Sequence, residues 1–190
     1  GPNCGVGDLQ AVAKANELCN AYMLDSISTG MTISFAMECF EHGLLTLEDT
    51  QGLDLRFGNV EAMLTMIERI ALRQGLGDLL AEGAMRAAQK IGGDAEFFAI
   101  HVKGQELPMH EPRGKYNVGM GYAISEIGAD HLVVAHDSML ANADGIPFKN
   151  ARPLGISEPQ PVKSLNDEKM RQFYILEKIT SFEKVIGYCF

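Results

Sequence analysis

Apolar residues recur at helical spacing through most of this 190-residue chain, and that periodicity is the feature that most restricts its fold. Asp8 precedes one such segment, which begins at residue 9 and continues for about four turns. Further helices are predicted over residues 31–42, 59–72, 79–91, 118–127 and 167–186. Only the segment at residues 96–103 is short and rich in aromatic and β-branched residues, as a strand is, and no partner strand is evident. The sequence therefore predicts an all-α, multihelical fold in which any strand is brief and peripheral.

Helix caps and prolines suggest where elements and domains end. Ser28 and Thr29 offer caps for the second helix, and Gly43 is placed to stop it. Residues 142–167 contain four prolines and are predicted to form one long loop. We therefore expect a division near that loop, with one helical domain over residues 1–141 and the start of a further helical domain over residues 142–190.

Composition excludes several classes of protein. Hydrophobic residues make up 46% of the chain and charged residues 22%, which suffices for one sizeable core or two small ones. The net charge of −9 and the lack of a basic run argue against nucleic-acid binding. No uncharged apolar stretch approaches the ~18 residues of a membrane span, and the N-terminus lacks the features of a signal peptide. We therefore expect a soluble, cytoplasmic protein without nucleic-acid or membrane partners.

The four cysteines stand far apart, at positions 4, 19, 39 and 189. No C-x-x-C pair or Cys/His pair has zinc spacing, so a self-contained zinc site is not predicted. We interpret the cysteines as reduced thiols whose default role is packing.

Three segments carry a resemblance to a known family. The first is residues 1–30, which include NELCNAYMLDSISTG; the second is residues 102–131, which include VKGQELPMHEPRG, GYA and GADH; the third is GYCF at residues 187–190. In this order the segments resemble the helical domains 2 and 3 of tungsten-containing aldehyde:ferredoxin oxidoreductases.

The resemblance implies an activity and its cofactors. Such enzymes hold tungsten, or sometimes molybdenum, between two pterin dithiolenes beside a [4Fe–4S] cluster, oxidise aldehydes to carboxylic acids, and pass electrons to ferredoxin. The family's N-terminal β domain and its C-x-x-C-x-x-x-C run, which supplies three cluster thiolates, have no counterpart in this chain. We therefore expect the isolated chain to bind no tungstopterin and to be inactive alone.

Asp25 resembles the second acid of the family's D-x-x-G-L-D pterin motif, with Leu24 before it. A carboxylate there suits the ring N–H groups of a pterin. The alternative role for Asp25 is an N-cap for the following helix. Asn20 replaces the first acid of the motif, and an amide accepts fewer hydrogen bonds and carries no charge.

His131, in the GADH segment, matches a histidine near the metal in the family and is predicted to be catalytic. An imidazole titrating near neutrality can move a proton as an aldehyde hydrate forms or collapses. The alternative is an ordinary surface or core histidine. Ile127 stands where the family has an Arg that contacts the pterin phosphate, and its side chain cannot form those hydrogen bonds.

Three further candidate residues lie in the second segment. His110 replaces a family Tyr near the metal and is either its catalytic stand-in or a solvated loop residue. Glu106 and Arg113 are interpreted as a structural salt bridge or a loop anchor.

The last segment resembles the family's D-x-x-G-L-C-x motif. The resemblance implies that Cys189 is the fourth cluster ligand and that positions 184 and 190 contact the pterin. Lys184 reverses the charge of the expected Asp, and Phe190 follows the cysteine. The alternative for Cys189 is a buried terminal thiol.

The family's subunit-bridging iron uses an E-x-x-H pair, which this chain lacks, so any homodimer is expected to form without it. The competing functional hypothesis is a divergent, cofactor-free helical domain that acts in binding or as a scaffold. A third hypothesis is a helical protein unrelated to the family, in which case the three sequence matches are a coincidence.

Overall fold

The computed structural model describes residues 1–187, which form ten α-helices and a single two-stranded hairpin, so the all-α prediction is confirmed. The helices are α1 (Leu9–Ala21), α2 (Ser26–Glu41), α3 (Val60–Ala71), α4 (Leu76–Leu80), α5 (Ala84–Ile91), α6 (Ala95–Phe98), α7 (Tyr116–Ile124), α8 (Asp137–Leu140), α9 (Ile146–Ala151) and α10 (Asp167–Val185). Two 3₁₀ turns cover Pro2–Cys4 and Arg152–Leu154. No helix in this part of the chain is both long and apolar enough to cross a membrane.

The chain divides into two compact units, Gly1–Pro108 and Met109–Phe190. The predicted boundary after residue 141 falls inside the second unit and stays a prediction. The long loop predicted over residues 142–167 is wrong in part, because α9 and a 3₁₀ turn form within it. Phe148 and Ile156 are buried there with residues of α10. This packing fixes residues 142–167, the proline-rich segment, in the core of the second unit.

Side-chain caps begin the three long helices of the first unit. Asp8 accepts hydrogen bonds from the backbone N–H groups of Gln10 and Ala11 at the start of α1. Asn59 caps α3 in the same way. Helix α2 starts at Ser26 instead of the predicted residue 31, because Asp25 rather than Ser28 or Thr29 is its cap.

The helix predicted over residues 79–91 is two helices. Gly83 separates α4 from α5 and has a φ of 86°, which only glycine adopts without strain. Helix α4 also packs very closely on α3. A Cβ on Gly77 would lie 2.3 Å from the backbone carbonyl of Arg69, so this position admits no side chain without a shift.

Cys4, Cys19 and Cys39 lie in the hydrophobic core of the first unit, as the packing interpretation predicts. Burial raises the pKa of Cys4 and of Cys39 to about 11, and it also raises the pKa of Cys19. These thiols therefore stay protonated near neutral pH, the form that neither attacks nor ligates a metal.

The strand predicted over residues 96–103 is correct only at its end. Residues 95–98 form α6, and β1 (His101–Val102) pairs with β2 (Gln105–Glu106) in an antiparallel hairpin. The turn between them is Lys103-Gly104, where both residues have positive φ, as a two-residue hairpin turn requires. The partner strand was missed because a two-residue strand shows no periodicity.

A buried ion pair lies in the second unit. Lys169 on α10 and Asp137 at the start of α8 are 1% and 0% exposed, and Lys169 Nζ lies 2.5 Å from Asp137 Oδ1. Lys169 Nζ also donates to the carbonyl of Pro161, and Asp137 Oδ2 accepts from the backbone N–H of Asn117. The pair thus joins α7, α8, α10 and the proline-rich segment.

Candidate active site

Three histidines of the second unit meet in one cluster, which we call the histidine cluster: His110, His131 and His136. His110 lies in the loop before α7, where its backbone carbonyl accepts a hydrogen bond from the hydroxyl of Tyr122. His131 follows Asp130, whose carboxylate accepts from the backbone N–H of Leu132 and shapes that turn. His136 is the residue that precedes α8.

The rings of the cluster are in contact. The centroids of His110 and His131 are 4.9 Å apart in a stacked pair, and those of His110 and His136 are 4.3 Å apart, edge to face. His136 Nε2 lies 3.0 Å from the carbonyl oxygen of His131, to which its N–H can donate. His131 and His136 also line a cavity of about 120 Å³ with apolar neighbours that include Leu132 and Met139.

The electrostatics of the cluster keep His110 neutral. Burial lowers the pKa of His110 to about 4, with further lowering by His136, Lys115 and His131. Lys115 Nζ lies 3.3 Å from His110 Nδ1. Since an ammonium group can only donate, Nδ1 must be the acceptor and the proton of neutral His110 must sit on Nε2. His110 is therefore uncharged at neutral pH and presents an Nε2–H donor.

We expect NMR titration of the imidazole C–H signals to give His110 a pKa near 4. The unfolded chain binds this proton near the ordinary pKa of 6.5, so stability falls as pH drops from about 6.5 toward 4. Lys115→Met removes a positive neighbour and should raise the pKa of His110, whereas Lys149→Met, on the exposed surface, should not. A His110 signal that titrates near 6.5 in the unaltered protein would contradict the assignment.

The predicted pterin contacts of the first unit lie at the α1–α2 junction. Asn20 and Asp25 are exposed, and Leu24 is half-buried against the core. The capping role of Asp25 is confirmed, because its Oδ1 accepts from the backbone N–H of Ile27 at 2.8 Å. Its Oδ2 accepts from the Ser28 hydroxyl at 3.3 Å. Each carboxylate oxygen has a further lone pair, so an exposed Asp25 still fits the N–H groups of a pterin ring.

Ile127 and Lys184 line one cavity of the second unit, of about 310 Å³. Lys184 forms an ion pair there with Asp130. Glu126 and Glu177 also line this cavity, so its described lining has three carboxylates and one ammonium group. This donor set does not fit a phosphate group, because the one cation is already paired and the other charges are negative.

The remaining residues singled out from the sequence are Cys189, Phe190, Arg113 and Glu106. Cys189 and Phe190 lie outside the described residues, so their roles stay predictions. Within residues 1–187, no group of three or more His, Cys, Asp or Glu side chains is arranged to hold a metal ion. Arg113 pairs with Glu111 and holds the pKa of that carboxyl at about 2.

Glu106 anchors the hairpin, which agrees with the loop-anchor interpretation rather than with the salt-bridge interpretation. It is 5% exposed and accepts hydrogen bonds from the backbone N–H of Ala84 and the hydroxyl of Thr32. It thereby connects the hairpin to the start of α5 and the interior of α2.

His136 was missed at the level of sequence. Its signal is weak: it follows His131 by five residues, which is not a helical spacing. The resulting H-x₄-H pair has a spacing that zinc fingers use, but no C-x-x-C pair accompanies it in this sequence. Only the turn that begins at Asp130 brings its ring back against His110.

Known proteins match most or all of this chain. The family model for aldehyde ferredoxin oxidoreductase, domains 2 and 3, matches residues 1–190. A tungsten-containing aldehyde ferredoxin oxidoreductase of Pyrococcus horikoshii is 36% identical and matches 100% of this chain and 29% of its own length. The WOR-like subunit of an aliphatic sulfonate oxidoreductase of Pyrococcus furiosus is 36% identical over 71% of this chain and 22% of that protein.

A solved structure is also similar, the active-site complex BamBC of benzoyl coenzyme A reductase with 1,5-dienoyl-CoA. The TM-score is 0.59 at 25% identity, over 87% of this chain and 28% of that one. The chain thus spans less than a third of the length of these relatives. The full-length family match and the sequence identities show that the chain belongs to the aldehyde ferredoxin oxidoreductase family and corresponds to its domains 2 and 3.

Proposed function

We propose that this chain is the helical portion of a tungsten- or molybdenum-pterin oxidoreductase that converts aldehydes to carboxylic acids. The observation that carries the proposal is the contact between His110 and His131, 4.9 Å apart, since both stand in the segment that resembles the family's active site. Electrons leave through a [4Fe–4S] cluster to ferredoxin, with Cys189 as one of the cluster ligands.

The histidine cluster handles protons in this proposal. Oxidation of an aldehyde with water yields a carboxylic acid, two electrons and two protons. The tungstopterin, when bound, supplies the two-electron chemistry. His131 accepts a proton as water adds to the aldehyde carbon or as the hydrate collapses. His110, neutral with its proton on Nε2, stacks on His131, and the ring of His136 meets His110 edge to face, so two further imidazoles lie beside the one that takes up the proton.

Other parts of the enzyme complete the site. The chain covers 29% of the length of its tungsten-containing relatives, and we propose that an N-terminal β domain and three further cluster thiolates come from the remainder. Asp25 would hold the pterin ring through its exposed carboxylate. The cytoplasm remains the expected location, and a homodimer without a bridging iron remains the expected assembly.

One observation favours a second candidate function, a cofactor-free binding domain that keeps the fold. The cavity of Ile127 and Lys184 does not fit a phosphate, and Lys184 is engaged by Asp130. A domain that no longer binds pterin would show such changes.

Metal analysis and an activity assay on the complete protein, purified without oxygen, separate the two. We expect tungsten or molybdenum with iron, and aldehyde-dependent reduction of a viologen dye as electron acceptor. The isolated 190-residue chain, assayed in parallel, should contain no tungsten or molybdenum. A folded complete protein without these metals and without activity would overturn the proposal in favour of the binding domain.

A further inference from the structure

One cavity of the first unit has a volume of about 440 Å³, within the range of small-molecule sites. Residues of α2, α5, α6 and β2 line it, together with the 3₁₀ turn Pro2–Cys4 and the loop before α3. All of them belong to the first unit, whereas the histidine cluster belongs to the second.

The walls of this cavity are rich in aromatic rings. Phe35, Phe57, Phe97 and Phe98 line it. The ring centroids of Phe97 and Phe98 are 5.7 Å apart, edge to face. Phe98 also stacks on His42, with the ring centroids 4.6 Å apart. Phe97 is 80% exposed, which leaves a large apolar ring for a ligand to cover. The faces of such rings carry partial negative charge and attract cations.

The charged groups of the cavity are both acidic. Glu38 and Glu106 line it, and none of the described lining residues is Lys or Arg. Glu106 is 5% exposed, and its two described hydrogen bonds, from Ala84 N and Thr32 Oγ1, both end on Oε1. A carboxylate buried without a cation is costly, and a ligand that brings a positive charge offsets that cost.

We propose that this cavity binds a small organic ammonium ion. The ammonium group lies beside the carboxylates of Glu38 and Glu106, and the hydrocarbon or aryl part packs against the phenylalanines. Neutral and anionic molecules of the same shape are disfavoured, since they bring no positive charge to the two carboxylates. This site is independent of the proposed oxidation of aldehydes.

Calorimetric titration of the complete protein tests the charge preference with three probes of similar shape: 2-phenylethylammonium, 2-phenylethanol and phenylacetate. We expect the ammonium ion to bind at least about tenfold more tightly than the alcohol, a difference of about 1.4 kcal/mol, and phenylacetate not to bind. Equal affinity for the ammonium ion and the alcohol, or no binding of the ammonium ion, would overturn the proposal.

Two variants locate the site. Glu106→Gln keeps an oxygen that can accept from Ala84 N and Thr32 Oγ1 but removes the charge, and it should bring ammonium affinity close to that of the alcohol. Glu38→Gln, on a partly exposed side chain, should weaken ammonium binding even if the buried variant folds poorly. Glu68→Gln, exposed on α3 and outside the cavity, should leave the affinity unchanged. Unchanged affinity in both cavity variants would refute the assignment, and none of these readouts depends on metal or on aldehyde oxidation.

Discussion

Replacing Lys169 with methionine is expected to lower the free energy of unfolding of the second unit by about 3–5 kcal/mol. The substitution leaves the carboxylate of Asp137, which is 0% exposed, without its ammonium partner. It also removes the donor to the carbonyl of Pro161, which helps hold the proline-rich segment. Urea unfolding followed by tyrosine fluorescence measures the effect, because most of the tyrosines lie after residue 108.

A surface pair on the same helix is the matched control. Arg171→Met removes an ion pair with Glu168 in which both side chains are about half exposed, together with a hydrogen bond to the carbonyl of Gly155, and should cost about 1 kcal/mol. Adding Asp137→Asn to Lys169→Met should recover part of the loss, because the buried charge then disappears. If Lys169→Met costs no more than Arg171→Met, the buried pair does not stabilise the second unit as described.

Under the proposed function, His131→Asn in the complete protein is expected to lower the rate of aldehyde oxidation by about 10²–10⁴-fold, the range for loss of a general acid or base. Asparagine keeps a polar side chain of similar reach but cannot take up a proton near neutral pH. Metal content should stay the same, and the rate should lose its dependence on pH in the range where imidazole titrates. The measurement is the viologen assay across pH, together with metal analysis of each preparation.

His101→Asn is the control for this substitution. His101 lies in the hairpin of the first unit, where its Nδ1 accepts from the backbone N–H of Gly104, and an amide oxygen can take that role. The activity of this variant should match that of the unaltered enzyme. A His131→Asn enzyme with normal activity and an unchanged pH profile would show that the proton is handled elsewhere.

The features predicted correctly from sequence are mostly local. Asp8 caps the helix that follows it within a few residues, and such an interaction is visible in the chain itself. The helix predicted over residues 59–72 is α3, and its apolar periodicity is also a local feature. The break between α4 and α5 was missed because Ala84, the first residue of α5, is capped by Glu106, 22 residues away. The hairpin was missed because its turn depends on Lys103 adopting a positive φ, which lysine rarely does.

The candidate site also depends on contacts between residues far apart in the chain, which the sequence does not show. Periodicity says nothing about His110 and His131, which lie 21 residues apart, and only the family resemblance singled them out. The ion pair between Lys184 and Asp130 joins residues 54 positions apart, so the charge reversal at residue 184 could be seen in the sequence but its partner could not.

The place of Glu106 in the chain also constrains how the first unit is completed during synthesis. Its partners Thr32 and Ala84 precede it by 74 and 22 residues, so both leave the ribosome first. Until residue 106 emerges, the first N–H of α5 and a hydroxyl within α2 have only water to bond. A nascent chain that stalls a few residues short of residue 106 already contains all the helices of this unit but lacks the carboxylate that joins the hairpin, α5 and α2, so these two hydrogen bonds form last.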